Sequence, residues 1–208
     1  MSLNKPFDKH HLPLFPLNSV IFVNGILQLQ IFEQRYLNMV KSCMKNQHGF
    51  IAVLIRDGNE VGDIPETYSV GTYVEIIDWD SLENNLLSIT IQGQQRVSIK
   101  NTHIHDDNLI SAQINYLDNL ESLETDIIDE DLIALLQTLH KHPFVAAKYP
   151  DINYSSLLEI AYKLCELLPL SNAEKQRLLE AEQIDSLLDQ LKTGINRLEK
   201  LSSDNGFL

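Results

Sequence analysis

The sequence predicts an α+β fold in two parts: residues 1–117 form a strand-rich, closed or nearly closed barrel with one early helix, and residues 118–208 form a helical subdomain. Three observations predict it. Segments of the first part alternate apolar with polar residues at a period of two, as half-buried strands do, while apolar residues of the second part recur at helical spacing. Six of the eight glycines fall in the first part, where turns use them. The charge balance shifts at the same point: residues 1–117 carry 8 basic and 12 acidic side chains, and residues 118–208 carry 8 and 17.

Pro13 and Pro16 hold Leu12–Leu17 extended, because each ring fixes its own φ and disfavours helix at the residue before it. Asn24-Gly25 marks a turn, after which Ile26 to Phe32 alternates Leu27, Leu29 and Ile31 with Gln28 and Gln30. Tyr36, Val40, Cys43 and Met44 recur at helical spacing and predict one helix ending before Gly49. Phe50 to Ile55 is a continuous apolar run that suits a central strand. Val70–Trp79 and Leu86–Gln92 are rich in strand formers, and Asp80–Asn85 between them predicts a hairpin. Val97 and Ile99, then Ile110, Ala112, Ile114 and Tyr116, alternate with polar residues. Six or seven strands in such a chain leave no unpaired edge if the sheet closes.

Asp118 to Asp131 holds seven acidic residues and no basic one, which predicts a solvated connection running into the first turn of a helix, where negative charge is favoured. Helices are expected at 127–141, 155–168, 172–182 and 185–202, punctuated by Pro143, Pro150 and Pro169. Ser171-Asn172-Ala173-Glu174 fits a capping box. Leu178, Leu179, Leu187, Leu188, Leu191, Ile195, Leu198 and Leu201 form an apolar stripe whose cover is either the chain itself or a second copy in a homodimer.

The formal net charge of −13, with no run of three adjacent Lys or Arg, repels phosphate and weighs against nucleic acid and anionic membrane as partners. No apolar run approaches the ~18 residues of a membrane span, and the first residues lack the apolar core of a secretory signal. Cys43 and Cys165 sit in apolar helical patterns, as buried reduced thiols do, and a cytoplasmic location is expected. No phosphate-binding loop, G-x-G-x-x-G, G-x-S-x-G elbow or H-E-x-x-H helix occurs, so no catalytic residue and no cofactor is expected. His103 and His105 share one strand face and invite a metal, but a site would need further ligands; exposed polar histidines are the simpler reading, as for His140 and His142 at a helix end. His10-His11 lies in a terminal segment expected to be disordered. Glu33, Arg35 and Tyr36 stand at a strand-to-helix junction, where side chains either brace the helix start or face a ligand.

Leu12-Pro13-Leu14-Phe15-Pro16-Leu17, then Val20-Ile21-Phe22-Val23-Asn24-Gly25, then Ile31-Phe32-Glu33-Gln34-Arg35-Tyr36 resemble the opening of the Lon protease N-terminal domain family, with its L-P-L-F-P-L, V-L-F-P-G and I-F-E-P-R-Y. Val70-Gly71-Thr72 is similar to its V-G-T, and Gly93-Gln94-Gln95-Arg96-Val97 to its G-x-x-R-F. Leu167-Leu168-Pro169-Leu170 and Glu174–Glu180 are similar to its L-P-L and K-Q-x-L-L-E. Asn24 and Gln34 depart from prolines of the pattern, and Glu83-Asn84-Asn85 from a D-G-R-like turn.

The resemblance implies a PUA-like β-barrel followed by a helical subdomain, together one Lon N-terminal-like domain, and a non-catalytic module that recognises substrate polypeptide. With the sequence ending at Leu208, it implies a free-standing member without ATPase or protease domains. The leading expectation is an adaptor or holdase for unfolded or exposed apolar protein segments, with no cofactor and no metal. Its binding surface is sought at Phe22, Phe32, Glu33, Arg35 and Tyr36, for whose aromatics core packing is the competing reading. An RNA-binding PUA-like module and a metal-dependent hydrolase built on the histidine pairs are the alternatives.

Overall fold

A computed structural model of the chain describes residues 10–81, 86–120 and 129–204. The chain divides into two compact units, residues 1–118 and residues 119–208.

In the first unit the double proline segment forms β1 (His11–Leu17), which changes partner along its length. Its start pairs antiparallel with β7 (Ile110–Tyr116), and its end pairs in parallel with β3 (Phe50–Asp57). β3 pairs with β5 (Val70–Ser81), β5 with β6 (Leu87–Ile104), and β6 with β7. These pairings close a circuit of five strands. β2 (Ile26–Ile31) adds to β6 outside the circuit, and the short β4 (Glu66–Thr67) adds to β3. His11 therefore belongs to the sheet, opposite Gln113, and His10 accepts from the Ile114 N–H at 2.8 Å; a terminal segment outside the fold is corrected by that pairing.

Alternation explains the two cores. Leu12 and Leu14 of β1 join Ile51, Val53, Val97 and Ile114 in a cluster drawn from the circuit. Phe15 and Leu17, on the opposite face, join Phe50, Ala52, Ile89 and Ile91 beneath α1 (Gln34–Asn46). β3 is buried on both faces, which is why Phe50–Ile55 reads as an unbroken apolar run. α1 supplies Tyr36, Met39, Val40 and Cys43 to that second cluster, and burying the Met39 and Val40 side chains is worth roughly 1.5–3 kcal/mol each. The strands expected separately at Leu86–Gln92 and around Val97 are one 18-residue strand, β6. The hairpin joining β5 to β6 is present as a pairing, while residues 82–85 of its turn lie outside the described residues.

The second unit holds α2 (Glu130–His140), α3 (Pro143–Lys148), α4 (Leu157–Leu167), α5 (Asn172–Leu179) and α6 (Ile184–Asp204). Most of the expected acidic connection, residues 121–128, lies outside the described residues. Each of α2 to α5 starts on a side-chain cap: Asp129, His142, Ser156 and Ser171. The capping box is formed in full, with Ser171 Oγ accepting from Glu174 N–H and Glu174 accepting from Ser171 N–H. The short α3 is absent from the sequence reading; His142, exposed as expected, caps it by accepting from the Phe144 N–H, and His140, partly buried, is held between Tyr154 Oη and the Tyr149 carbonyl. Within this unit the apolar stripe buries Leu178, Leu179, Leu187 and Leu191, while Leu201 stays half exposed. Among the described residues, no helix is long and apolar enough to cross a membrane.

Candidate polypeptide-binding surface

The strand-to-helix junction is built around Arg35. Its side chain is 5% exposed, with Nη2 2.9 Å from Glu33 Oε2, Nη1 donating to the Asn108 carbonyl at 3.0 Å, and the guanidinium 4.7 Å from the centre of the Tyr36 ring. Tyr36 packs against Phe15 and is buried, and burial pushes its hydroxyl up to about 12. The junction is thus a brace: Arg35 ties the start of α1 to the loop before β7, and Tyr36 is a core aromatic.

Phe22 is fully buried too. The turn that follows it is clamped to β6: Asn24 N–H donates to the Gly93 carbonyl at 2.8 Å, and Gly93 N–H donates to the Gly25 carbonyl at 2.9 Å. Thr72 Oγ1 adds a 2.6 Å bond to the Ile21 carbonyl. A Cβ at residue 93 would lie 2.1 Å from the Phe22 carbonyl oxygen, and one at residue 71 would lie 2.6 Å from the Ala52 carbonyl oxygen, so both positions need glycine for close approach. An exposed patch centred on Phe22, Phe32 and Tyr36 is therefore corrected. Two of its three aromatics are core residues, and of the five residues sought only Phe32, at 53% exposure, presents an apolar side chain to solvent.

Besides Phe32, the large exposed apolar side chains among the described residues of this unit are Met44, Val61, Ile77, Trp79 and Ile104. Met44, Ile77 and Trp79 are 37%, 50% and 55% exposed. They border a groove of about 410 Å³ between the C-terminal end of α1, with Cys43, Met44, Gln47 and His48, and the outer half of β5, from Glu75 to Trp79. Its charged members are Glu75 and Asp78, and among the described residues no Lys or Arg lines it. Ile76 pairs with Ile91 and Asp78 with Thr90, so Ile77 is the extra residue of a β-bulge, a device that re-aims side chains. Sequence reading missed this groove because its two walls are far apart in the chain. The adjacent Ile76-Ile77, which breaks the alternation of β5, was the available sign.

The thiols are not poised for chemistry. Burial pushes Cys43 and Cys165 up to about 12, and Cys43 donates to the Gly49 carbonyl. The His103 and His105 rings are 4.9 Å apart, with His105 Nε2 2.8 Å from Ser111 Oγ. Among the described residues, no group of three or more His, Cys, Asp or Glu gathers where it could hold a metal ion.

Residues 11–197 match the family of the ATP-dependent protease La (LON) substrate-binding domain. The chain belongs to that family. The Lon N-terminal domain protein from Xanthomonas campestris, a crystal structure, superposes with a TM-score of 0.73 at 26% identity, over 88% of this chain and 97% of that one. The N-terminal domain of the Mycobacterium avium complex Lon protease gives 0.60 at 13% identity, over 89% of this chain and 96% of that one, a likeness of fold. Among full-length relatives, the Lon protease of Brevibacillus choshinensis is 22% identical over 196 residues and Lon protease 1 of Bacillus subtilis 24% identical over 198. Each alignment takes in 90% of this chain, which spans about a quarter of the length of those relatives (25% of each).

In this LON-family domain the motif residues have structural work. Gly93 seats the Phe22–Gly25 turn, Gly71 lets β5 approach β3, and Thr72 ties Ile21. Arg96, 5% exposed, donates to the Asp118 carbonyl at 3.0 Å, and Gln95 donates to the Leu117 carbonyl at 3.0 Å. The shared motifs mark the frame, and the groove at Trp79 is lined by other residues.

Proposed function

We propose that this chain is a non-catalytic polypeptide-recognition module, a closed PUA-like barrel with a helical subdomain, that works in the cytoplasm as an adaptor or holdase for unfolded or exposed apolar segments. The observation that carries this reading is the half-exposed Met44, Ile77 and Trp79 groove in a domain of a substrate-binding family. Contiguous exposed apolar surface is costly to leave in water, and it marks interaction sites on soluble domains. Phe32 and Glu33 are the residues of the junction proposed to contact polypeptide as well, with Phe22, Arg35 and Tyr36 supporting them from within. The recognised class is polypeptide rather than nucleic acid, because the −13 net charge opposes phosphate.

Fluorescence anisotropy of a labelled, permanently unfolded protein tests the reading at two salt concentrations. Saturable binding that persists at high salt, and that weakens at least tenfold in Ile77→Asp, is the expected result. No saturable binding at tens of micromolar overturns it.

A further inference from the structure

The outer half of β5 is an open sheet edge. β3 meets β5 only where Phe50, Ile51 and Ala52 face Val74, Tyr73 and Thr72. Beyond Val74, residues Glu75–Ser81 pair with β6 on one side and, among the described residues, with no strand on the other. That edge borders the groove described above. The Trp79 N–H donates to its own neighbour's carboxylate, Asp78 Oδ1, at 2.9 Å. Open edges invite any extended chain, and natural sheets guard them with bulges and charge. Here the bulge is at Ile77 and the guards are all of one sign: Glu75, Asp78 and Asp80.

Resting on the polypeptide-recognition reading, we propose that the ligand is an extended segment of alternating apolar and basic residues that adds as a strand to the β5 edge. Main-chain hydrogen bonds to the edge supply affinity without regard to sequence, and alternate side chains supply selectivity. The apolar residues of the segment enter the groove beside Met44 and Ile77. Its Lys or Arg residues, on the other face of the added strand, meet Glu75, Asp78 and Asp80, which pair with Gln92, Thr90 and Ser88 and so share one face of β5, while Trp79, paired with Ile89, packs against the apolar residues. The same acids repel a second copy of this acidic chain, so the edge is closed to self-pairing and open to a basic segment.

Trp79 is the single tryptophan of the chain, so its emission reports the groove directly. The test titrates the full chain with a tryptophan-free peptide of alternating Leu and Lys and with its Leu/Glu counterpart. Two isomers of the basic peptide, N-methylated at odd or at even residues, complete the set. An added strand turns only one set of its N–H groups to β5. One isomer therefore loses at least tenfold in affinity while the other binds like the parent, the Leu/Glu peptide fails, and Asp78→Asn with Asp80→Asn weakens the parent. Equal behaviour of the two isomers overturns strand addition. Equal binding of acidic and basic peptides overturns the charge rule, and a Trp79 shift driven by protein concentration alone makes a second copy the occupant and overturns the proposal. If all peptides fail while unfolded protein still binds, this inference falls alone; if unfolded protein fails too, the recognition reading falls with it.

Discussion

Replacing Gly93 with alanine places a methyl group 2.1 Å from the Phe22 carbonyl oxygen and 3.2 Å from Thr72 Cγ2. Normal contact requires the Phe22–Gly25 turn to move by about 1 Å away from β6, because both neighbours of the new Cβ belong to paired or buried backbone. That shift breaks the two bonds between the turn and Gly93, at 2.8 and 2.9 Å, and strains the 2.6 Å bond from Thr72 to Ile21. Each buried hydrogen bond lost costs about 1 kcal/mol, and lifting the fully buried Phe22 adds to it, so the substitution costs roughly 3 kcal/mol or more. Urea unfolding read at Trp79, which lies in the same unit, measures the cost. Lys100→Ala, an exposed change on the same strand, stays within about 0.5 kcal/mol. A Gly93→Ala cost below about 1 kcal/mol would refute the close-approach argument.

Arg35→Ala leaves Glu33 and the Asn108 carbonyl without their buried partner and costs about 3 kcal/mol, measured by urea titration; Arg35→Lys restores only part of it, since an ammonium cannot bridge both. Asp129→Ala removes the α2 cap and the 2.7 Å pair with Lys192 Nζ, and lowers thermal stability by about 1 kcal/mol. Burial alone would raise the Asp129 carboxyl, but the Lys192 hydrogen bond and the Leu132 N–H outweigh it and hold it below 3.8. Its contribution is present above that value and is lost as pH falls through the folded pKa, so the variant's acid unfolding profile is shallower than the parent's. On the alkaline side, burial raises the Cys43 and Cys165 thiols from 9.0, and the Tyr36 hydroxyl from 10.0, to about 12. The folded state keeps protons that the unfolded chain releases, so these groups stabilise fully below pH 9 and the urea midpoint declines between pH 9 and about 12; the double Cys→Ala variant declines less steeply.

Signals carried by neighbouring residues were legible in the sequence. The prolines of β1, the alternation of β2, the helical spacing of α1 and the Ser171 to Glu174 box each rest on contacts within a few residues. The merging of two expected strands into β6 was hidden, because Gly93 looks like a terminator until the turn it accommodates is in view. α3 is too short for its periodicity to register, and its cap is a histidine rather than the usual hydroxyl or carboxylate. The candidate site was least legible. An aromatic in an apolar stretch reads the same whether it points inward, as Phe22 does, or outward, as Phe32 does. The groove joins α1 to β5 across some thirty residues of chain, and only the doubled Ile76-Ile77 hinted at it.

Emission of Trp79 during titration with a permanently unfolded protein free of tryptophan tests the central claim most directly. Burial of a ring that is 55% exposed predicts a saturable blue shift that persists at high salt and tracks the anisotropy of the labelled partner. Saturable anisotropy with unchanged Trp79 emission would contradict the account, because recognition would then take place away from the α1 and β5 groove.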